Sequence, residues 1–281
     1  MPPPARDPGR PFPGDGLAPR PAAGGPLGEG RGDPPAERVH PLRAPRDRPG
    51  LGLPRVRVVL VRPDTPANVG ATARVVRNTG LSGLDLVSPG DWRTVECWRT
   101  AWGAQDVLEE AREFPDLAPA LSGASLAVAL TGRRPAGAPV LDVREAAAEL
   151  GSLGPDEAAS LVFGPETTGL TRDELALCGR LATIPSHADQ PSLNLSHAVA
   201  VAACEVFRAP RRPETPPRRA THDEKERMLA LLRAGLLRIE ALPGVNTEGY
   251  FSEWRALFQR ADLTPKEVRL LEHLARKLSR A

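Results

Sequence analysis

The chain has 281 residues, 26% of them charged and 41% hydrophobic, which is ordinary usage for a globular protein of one or two domains. No apolar stretch approaches the roughly 18 uninterrupted residues of a membrane-spanning helix, which excludes an integral membrane protein. The net charge of +2 excludes a polycationic nucleic-acid coat. The three cysteines are widely spaced and lack a C-x-x-C pair, so we expect neither a disulfide framework nor a metal site. Cysteines without disulfides fit a reducing compartment, and we therefore expect the protein in the cytoplasm.

Short apolar runs alternate with helical stretches from Arg55 onward. The runs predict buried strands at residues 55–61, 84–87, 125–130, 160–163 and 180–184. Helices are predicted between them, one of which begins at a capping box formed by Thr171 and Glu174. This alternation predicts an α/β fold with a mostly parallel sheet covered by helices on both faces.

The rest of the chain divides by composition. Residues 1–54 are rich in proline, glycine and arginine, so we expect a disordered tail, and they lack the apolar core of a secretory signal. We expect a catalytic domain at residues 55–208, a Pro/Arg linker at 209–220 and a small helical domain at 221–281. The helical domain is indicated by two further capping boxes, Thr221 with Glu224 and Thr264 with Glu267.

Common nucleotide-binding signatures are absent, since no strand is followed by G-x-G-x-x-G and no Walker A loop occurs. Polar, glycine-containing segments instead follow the predicted strands, where open α/β sheets bind ligands. In the first, Thr65 and Pro66 are expected to start a helix on which Gly70 and Arg74 share a stripe. A ligand would then approach the backbone at Gly70 while Arg74 binds an anion; the alternative is an ordinary surface helix.

Two further segments have the same character. Residues 161–171 place a close-approach glycine, Gly164, and the carboxylate of Glu166 at the end of a strand, although a simple connecting loop explains them equally well. In residues 184–207, a long helix is predicted from about Ser192, and Asn194 lies beside its free amides, which favour an anion. We expect His197 to be a packed or capped core histidine.

Together the segments read N-x-G-x-x-x-R at 68–74, F-G-x-E-x-x-G-L at 163–170 and I-P…S-L-N-L-S-x-A-V at 184–199. This set, in this order, resembles the SPOUT class of RNA methyltransferases in its SpoU/TrmH branch, whose members methylate ribose 2′-hydroxyls with S-adenosylmethionine. The resemblance covers residues 55–208. It implies a trefoil knot at the carboxyl-terminal strands and a homodimer with active sites at the subunit interface, where the motif-one arginine reaches the partner's cofactor.

By position, the resemblance also implies roles for individual residues. The S-adenosylmethionine loops would be formed by Thr131, Gly132, Arg133, Gly164, Ile184, Pro191, Ser192 and Leu193. The catalytic residues would be Arg74, Asn68, Glu166, Ser192 and Asn194. A guanidinium keeps its proton at neutral pH, so we interpret Arg74 as an electrostatic group that orients a phosphate and stabilises the 2′-oxyanion, although the family is often described with a general base here.

RNA affinity is expected from local arginines: Arg74, Arg77, Arg133 and Arg134, with further candidates at Arg211, Arg212, Arg218 and Arg219. The carboxyl-terminal segment resembles the helical extension of members that methylate cytidine or uridine 32 in the anticodon loop of tRNA. Two alternatives stay open: the same reaction on ribosomal RNA or another tRNA ribose, and a non-catalytic RNA-binding module with this fold.

Overall fold

The computed structural model describes residues 55–132, 135, 138–154, 156–210, 217–242 and 246–280. The strands are β1 (Arg55–Val61), β2 (Gly83–Val87), β3 (Arg112–Phe114), β4 (Ala124–Leu130), β5 (Val140–Asp142), β6 (Ala158–Phe163) and β7 (Arg180–Thr183). The five predicted strands are therefore confirmed. The sequence patterns missed β3 and β5, because three residues are too few to show a periodicity. The tail predicted to be disordered lies outside the described residues.

All strand pairs are parallel, and the order across the sheet is β3-β2-β1-β6-β4-β7-β5. Chain order reverses between β1 and β6, which pair from Arg55 with Ala158 to Leu60 with Phe163. The last strand in sequence, β7, lies between β4 and β5. This arrangement is consistent with the trefoil knot that the resemblance implies.

The helices are α1 (Pro66–Thr79), α2 (Val95–Thr100), α3 (Gln105–Glu109), α4 (Leu117–Ala120), α5 (Val143–Gly151), α6 (Arg172–Ala176), α7 (Leu195–Arg208), α8 (His222–Arg238), α9 (Thr247–Arg260) and α10 (Pro265–Leu278). The three predicted capping boxes are confirmed, at the starts of α6, α8 and α10. Pro66 begins α1 as predicted, but the Thr65 side chain makes no capping hydrogen bond.

The side chains of β1 alternate between two hydrophobic cores, one on each face of the sheet. Val56, Val58 and Leu60 pack into the larger core with the buried faces of α1, α5 and α7. Val59 and Val61 point the other way, into a core with α4 and the segment after α6. A strand buried on both faces reads as a continuous apolar run, which is why the RVRVVLV segment was recognisable.

A buried carboxylate joins the three strands at one edge of the sheet. Asp85 on β2 is fully buried and accepts hydrogen bonds from Arg57 on β1, at 2.8 and 2.6 Å, and from Arg112 on β3, at 2.8 and 2.7 Å. Burial by itself raises the pKa of Asp85, but the bonds from Arg112 and Arg57 outweigh it and hold the pKa below its ordinary value. Asp85 therefore stays ionised inside the sheet.

The carboxyl-terminal helices have a core of their own and are bonded to the sheet. Met228, Phe251 and Val268 pack together between α8, α9 and α10. Arg180 on β7 donates to the carbonyl oxygen of Arg260, at 2.8 Å, and to both carboxylate oxygens of Asp262, at 2.9 and 2.8 Å. The predicted division into separate domains stays a prediction, since residues 211–216 of the linker lie outside the described part of the chain.

We predict that the Asp85 carboxylate tolerates the sheet interior only because both arginines are present. The double variant Arg57→Met, Arg112→Met leaves a buried charge without partners and should lower the free energy of unfolding by about 3–5 kcal/mol. Adding Asp85→Leu to that variant should recover most of the loss, because it removes the unpaired charge. Urea denaturation of the three proteins measures this; no recovery in the triple variant would contradict the electrostatic explanation.

A second prediction concerns Lys225 on α8, which is buried and donates to the carbonyl oxygens of Gln259, at 3.3 Å, and Ala261, at 3.1 Å. Burial lowers the pKa of Lys225 from 10.5 to about 8. Between these values the unfolded chain binds the proton and the folded chain does not, so the stability contributed at this position rises with pH.

The free energy of unfolding of wild type, minus that of Lys225→Met, should therefore increase from pH 8 to 10 by on the order of 1 kcal/mol per pH unit. Burial raises the pKa of the thiols of Cys97 and Cys178, so their contribution to the free energy of unfolding falls as the pH rises. Both thiols are common to the two proteins and cancel in the difference. A difference that stays flat from pH 7 to 10, in chemical denaturation at each pH, would refute this account.

Candidate functional site

A cleft of about 870 Å³ opens at the carboxyl edge of the sheet, where β4, β6 and β7 end. Seven of the residues predicted to hold a cofactor line it: Thr131, Gly132, Gly164, Ile184, Pro191, Ser192 and Leu193. The eighth, Arg133, lies outside the described residues. Residues as far apart in sequence as Thr131 and Leu193 are thus brought to one cleft, because parallel strands all end at the same edge.

A chain of side-chain hydrogen bonds crosses this edge and joins the three predicted motifs. Asn68, buried in the first turn of α1, donates from Nδ2 to Oε1 of Glu166 at 2.6 Å. The Nδ2 of Asn194 donates to Oδ1 of Asn68 at 3.1 Å. Glu166 also accepts from the backbone amide of Asp64, at 2.9 Å. Each motif therefore supplies one member of a single polar network beside the cleft.

The loop after β1 and the loop after β6 are joined by further contacts that sequence reasoning missed. Asp64 accepts from the backbone amide and the hydroxyl of Thr167, at 3.3 and 3.1 Å. Arg62 binds Glu174 through both guanidinium nitrogens. Burial by itself raises the pKa of Glu174, but the bonds from Arg62 and from the Thr171 amide outweigh it, so the pKa is lowered. The available signal was a charged R-P-D triplet directly after a buried strand.

Gly164 permits a close approach between two backbone segments, and its contact with a cofactor stays a prediction. The loop after β6 folds back so tightly that a Cβ on Gly164 would lie 2.4 Å from the amide nitrogen of Leu170. Gly169 completes the turn with a φ of +69°, which a glycine adopts at little cost. The absence of a side chain at Gly164 keeps the loop close against the end of β6, where it forms one wall of the cleft.

The expectation of a ligand at Gly70 is wrong. Gly70 is buried against α2, and a Cβ there would lie 2.1 Å from the carbonyl oxygen of Cys97 and 2.2 Å from the hydroxyl of Thr100. The glycine permits close contact between two helices. This role and the approach of a ligand both require a glycine, so the sequence alone does not distinguish them. Arg74, one turn later, is exposed, lies outside the residues that line the cleft, and makes no ion pair with the described residues.

The start of α7 also differs from the prediction. The helix begins at Leu195, three residues later than expected, and Asn194 is its N-cap, accepting from the amides of Ser196, at 3.0 Å, and His197, at 3.4 Å. These amides are therefore already bonded and are not free for an anion. The prediction that His197 is a core residue is wrong, since the helix places it on the exposed side.

The predicted RNA-binding arginines differ in their surroundings. Arg77 forms an ion pair with Asp106 at 2.8 Å, and Arg219 is largely enclosed beside Asp262. Arg218 pairs with Glu224 at 3.5 Å. Outside the described residues lie Arg133, Arg134, Arg211 and Arg212. Of the predicted arginines that the structure describes, Arg74 alone is exposed and without an ion pair.

The described part of the chain contains neither a candidate metal centre nor a membrane-spanning helix. Its His, Cys, Asp and Glu side chains form no group of three that could hold a metal ion. Among its helices, none has the length and apolar character needed to cross a membrane.

Comparison with known proteins agrees with this geometry. The tRNA (cytidine/uridine/adenosine-2'-O-)-methyltransferase TrmJ of Pseudomonas aeruginosa is 35% identical over 235 residues, which cover 78% of this chain and 91% of that protein. TrmJ of Pectobacterium atrosepticum is 32% identical over 229 residues, covering 78% and 94%. The crystal structure of TrmJ from Z. mobilis ZM4 superposes with a TM-score of 0.71 at 30% identity, covering 79% of this chain and 98% of that one.

A sequence model of the SpoU rRNA methylase family matches residues 55–204, which is more than half of the chain and includes all three motifs. The likeness to TrmJ extends beyond this range into the carboxyl-terminal helices, as the sequence resemblance implied. On the strength of the family match and of the identity and coverage of these relatives, the chain belongs to the SpoU methylase family.

Proposed function

We propose that this protein transfers a methyl group from S-adenosylmethionine to a ribose 2′-hydroxyl of tRNA. The observation that carries the proposal is the Glu166–Asn68–Asn194 hydrogen-bond chain beside a cleft lined by the seven predicted cofactor residues. The TrmJ relatives, named as tRNA 2'-O-methyltransferases, match over most of their length and support tRNA as the substrate. Since tRNA matures and functions in the cytoplasm, the protein works there.

The cleft suits a nucleoside with an amino-acid tail. Its volume of about 870 Å³ is within the usual range for small-molecule sites, roughly 300–1,000 Å³. Leu130, Ile184 and Leu193 give apolar surface, and the loops after β4, β6 and β7 supply backbone polar groups around it. When bound, S-adenosylmethionine supplies an electrophilic methyl group. The residues around it orient the acceptor ribose and exclude water.

Arg74 has an electrostatic role in this proposal. A ribose 2′-hydroxyl becomes a better nucleophile as its proton leaves, and the developing negative charge is stabilised by a fixed cation. A guanidinium also binds a neighbouring phosphate through two nitrogens, which fixes the ribose in place. Asn68, Glu166 and Asn194 hold the three segments together, and Ser192 lines the cleft.

The active protein is a homodimer in which Arg74 serves the cleft of the partner. Arg74 points to solvent from α1 rather than lining its own cleft. Helix α7, which packs beside α1, exposes Val201, Cys204 and Phe207. An apolar stripe of this kind is typical of a face that packs against another chain. A twofold dimer through this face would bring each Arg74 towards the opposite subunit.

Within tRNA, we propose cytidine or uridine 32 of the anticodon loop as the target, because the likeness to TrmJ includes the carboxyl-terminal helices. The description of the matched family as rRNA methylases favours ribosomal RNA as a second candidate substrate. A non-catalytic RNA-binding module is the alternative of a different class; the presence of Arg74, Asn68, Glu166, Ser192 and Asn194 argues against it.

The proposal predicts that labelled methyl groups pass from S-adenosylmethionine to purified tRNA, and that ribose mapping places them at position 32. Arg74→Ala should lower turnover about 100- to 1,000-fold, because it removes one stabilising group from the transition state. Arg238→Ala, at an exposed arginine on α8, is the matched control and should leave turnover unchanged.

Three results would count against parts of this account. Methyl label found only in ribosomal RNA would support the methylation reaction and reject tRNA as its substrate. Near-normal turnover by Arg74→Lys would reject bidentate phosphate binding by Arg74. Failure to bind S-adenosylmethionine in calorimetry would favour the non-catalytic module.

Subunit mixing tests whether Arg74 acts across the dimer. Gly164→Val fills space already occupied by the backbone of Gly169 and Leu170, and should close the cleft of its own subunit. Neither Gly164→Val nor Arg74→Ala should be active alone. Co-expressed in equal amounts, they form heterodimers with one intact cleft that faces one intact Arg74, and should recover about a quarter of wild-type activity. If Arg74 acts within its own subunit, the mixture stays inactive.

A further inference from the structure

Helix α2 and the residue pair after it expose a small apolar and cationic surface that the proposed reaction does not use. Val95 and Trp102 are 86% and 71% exposed, and Arg99 is exposed between them. The three residues are spaced four and three apart, and Ala101 keeps a near-helical backbone (φ −82°, ψ 16°), so they lie on one side of the segment. We name Val95, Arg99 and Trp102 the α2 patch.

The α2 patch is held rigidly beside the candidate site. Cys97, on the opposite side of α2, is buried against Gly70 of α1. The hydroxyl oxygen of Thr100 lies 3.2 Å from the carbonyl oxygen of Ala67, in the first turn of α1, and 3.0 Å from the carbonyl oxygens of Glu96 and Cys97 in its own helix. Asn68 of the polar network is the residue after Ala67, and Arg74 lies one turn beyond Gly70. The patch therefore lies on the outer side of a helix that packs against the first turns of α1, and α1 carries Asn68 and Arg74.

The other tryptophans nearby have structural roles that Trp102 lacks. Trp92 is 4% exposed and donates from Nε1 to Glu113 at 3.2 Å, and Trp98 packs against the larger core. Within the described part of the chain, Trp102 has neither a hydrogen-bond partner nor an aromatic or cation–π contact. The exposed face of the Trp102 indole is therefore free to contact a binding partner, and aromatic rings with a polar N–H are enriched at interaction surfaces.

We propose that the α2 patch is a stacking platform for an unpaired nucleobase of the RNA that this protein binds. The indole of Trp102 offers the flat surface, and Arg99 binds the adjoining phosphate or stacks on the same base. Three side chains are far too few for a stable protein interface, which buries about 800 Å² on each partner, but they match one or two nucleobases. The inference rests on the proposed function, since a ribose held near Arg74 brings its flanking nucleotides to this surface.

Binding measurements test the platform. Trp102→Ala should weaken binding of tRNA and of a short single-stranded oligoribonucleotide roughly 10-fold, whereas Trp102→Phe should keep most of the affinity because a ring still stacks. Leu237→Ala, which truncates a residue 49% exposed on α8, is the matched control and should change nothing. Binding of S-adenosylmethionine, measured by calorimetry, should be the same in all four proteins. Affinity within twofold of wild type for Trp102→Ala would overturn the proposal.

Fluorescence gives a readout that a merely structural role would not move. The single-stranded oligoribonucleotide should quench tryptophan emission in wild type, and the quenching should be lost in Trp102→Phe although that variant still binds. Equal quenching in both proteins would overturn the proposal. So would conversion of a dimer to a monomer by Trp102→Ala in sedimentation, which would make the patch a contact between copies of this chain.

The two proposals fail separately in these experiments. Quenching that depends on Trp102, with no methyl transfer to any RNA, would support the platform and reject the enzymatic function. Methyl transfer with an unchanged KM for tRNA in Trp102→Ala, and no quenching that depends on Trp102, would support the function and reject the platform.

Discussion

The cleft depends on one short chain of amide and carboxylate hydrogen bonds, from Asn194 to Asn68 to Glu166. Each member comes from a different segment: Asn68 from the first turn of α1, Glu166 from the loop after β6 and Asn194 from the N-cap of α7, so no β-sheet hydrogen bonds join the three. Asn194 also caps α7, and these capping hydrogen bonds orient its side chain independently of the bond to Asn68. A buried amide between two polar partners is costly to leave unpaired, so the three loops are stable only in the arrangement that satisfies all of them.

The sheet supplies the rigid base for these loops. Because β1 and β6 are adjacent and buried on both faces, the loops that follow them leave the sheet side by side, and the contacts of Asp64 and Arg62 with the loop after β6 become possible. The carboxyl-terminal helices are bonded directly to this sheet. Arg180, the first residue of β7, is bonded to the last residue of α9, Arg260, and to Asp262 beyond it, so displacement of those helices would disturb β7.

The sequence patterns predicted the parts of this structure that local rules determine. Five strands, three capping boxes and the close approach at Gly164 each follow from the types of a few neighbouring residues. Tertiary contacts decided the rest. A glycine on a helix indicates that something comes close, but only the fold shows that Cys97, not a ligand, approaches Gly70. Helix α7 begins at Leu195, where Asn194 caps it, and the same Asn194 side chain is bonded to Asn68, a contact 126 residues away that no local pattern predicts. The pairing of Arg62 with Glu174 spans more than a hundred residues and leaves no local pattern.

The position of β7 has a consequence for how the protein comes to exist. Among the described strands, β5 pairs with β7 and with no other, although β5 is synthesised about forty residues earlier. During translation β5 must wait without a hydrogen-bonded neighbour until β7 emerges and enters the gap beside β4. Pairing between segments so distant in sequence is slow. Every loop of the cleft that follows β7 depends on this step, so a nascent chain acquires its complete ligand-binding surface only after β7 has paired. A chain that ended shortly before β7 would contain five of the seven strands with β5 unpaired beside them, and would lack Ile184 and Ser192 of the cleft.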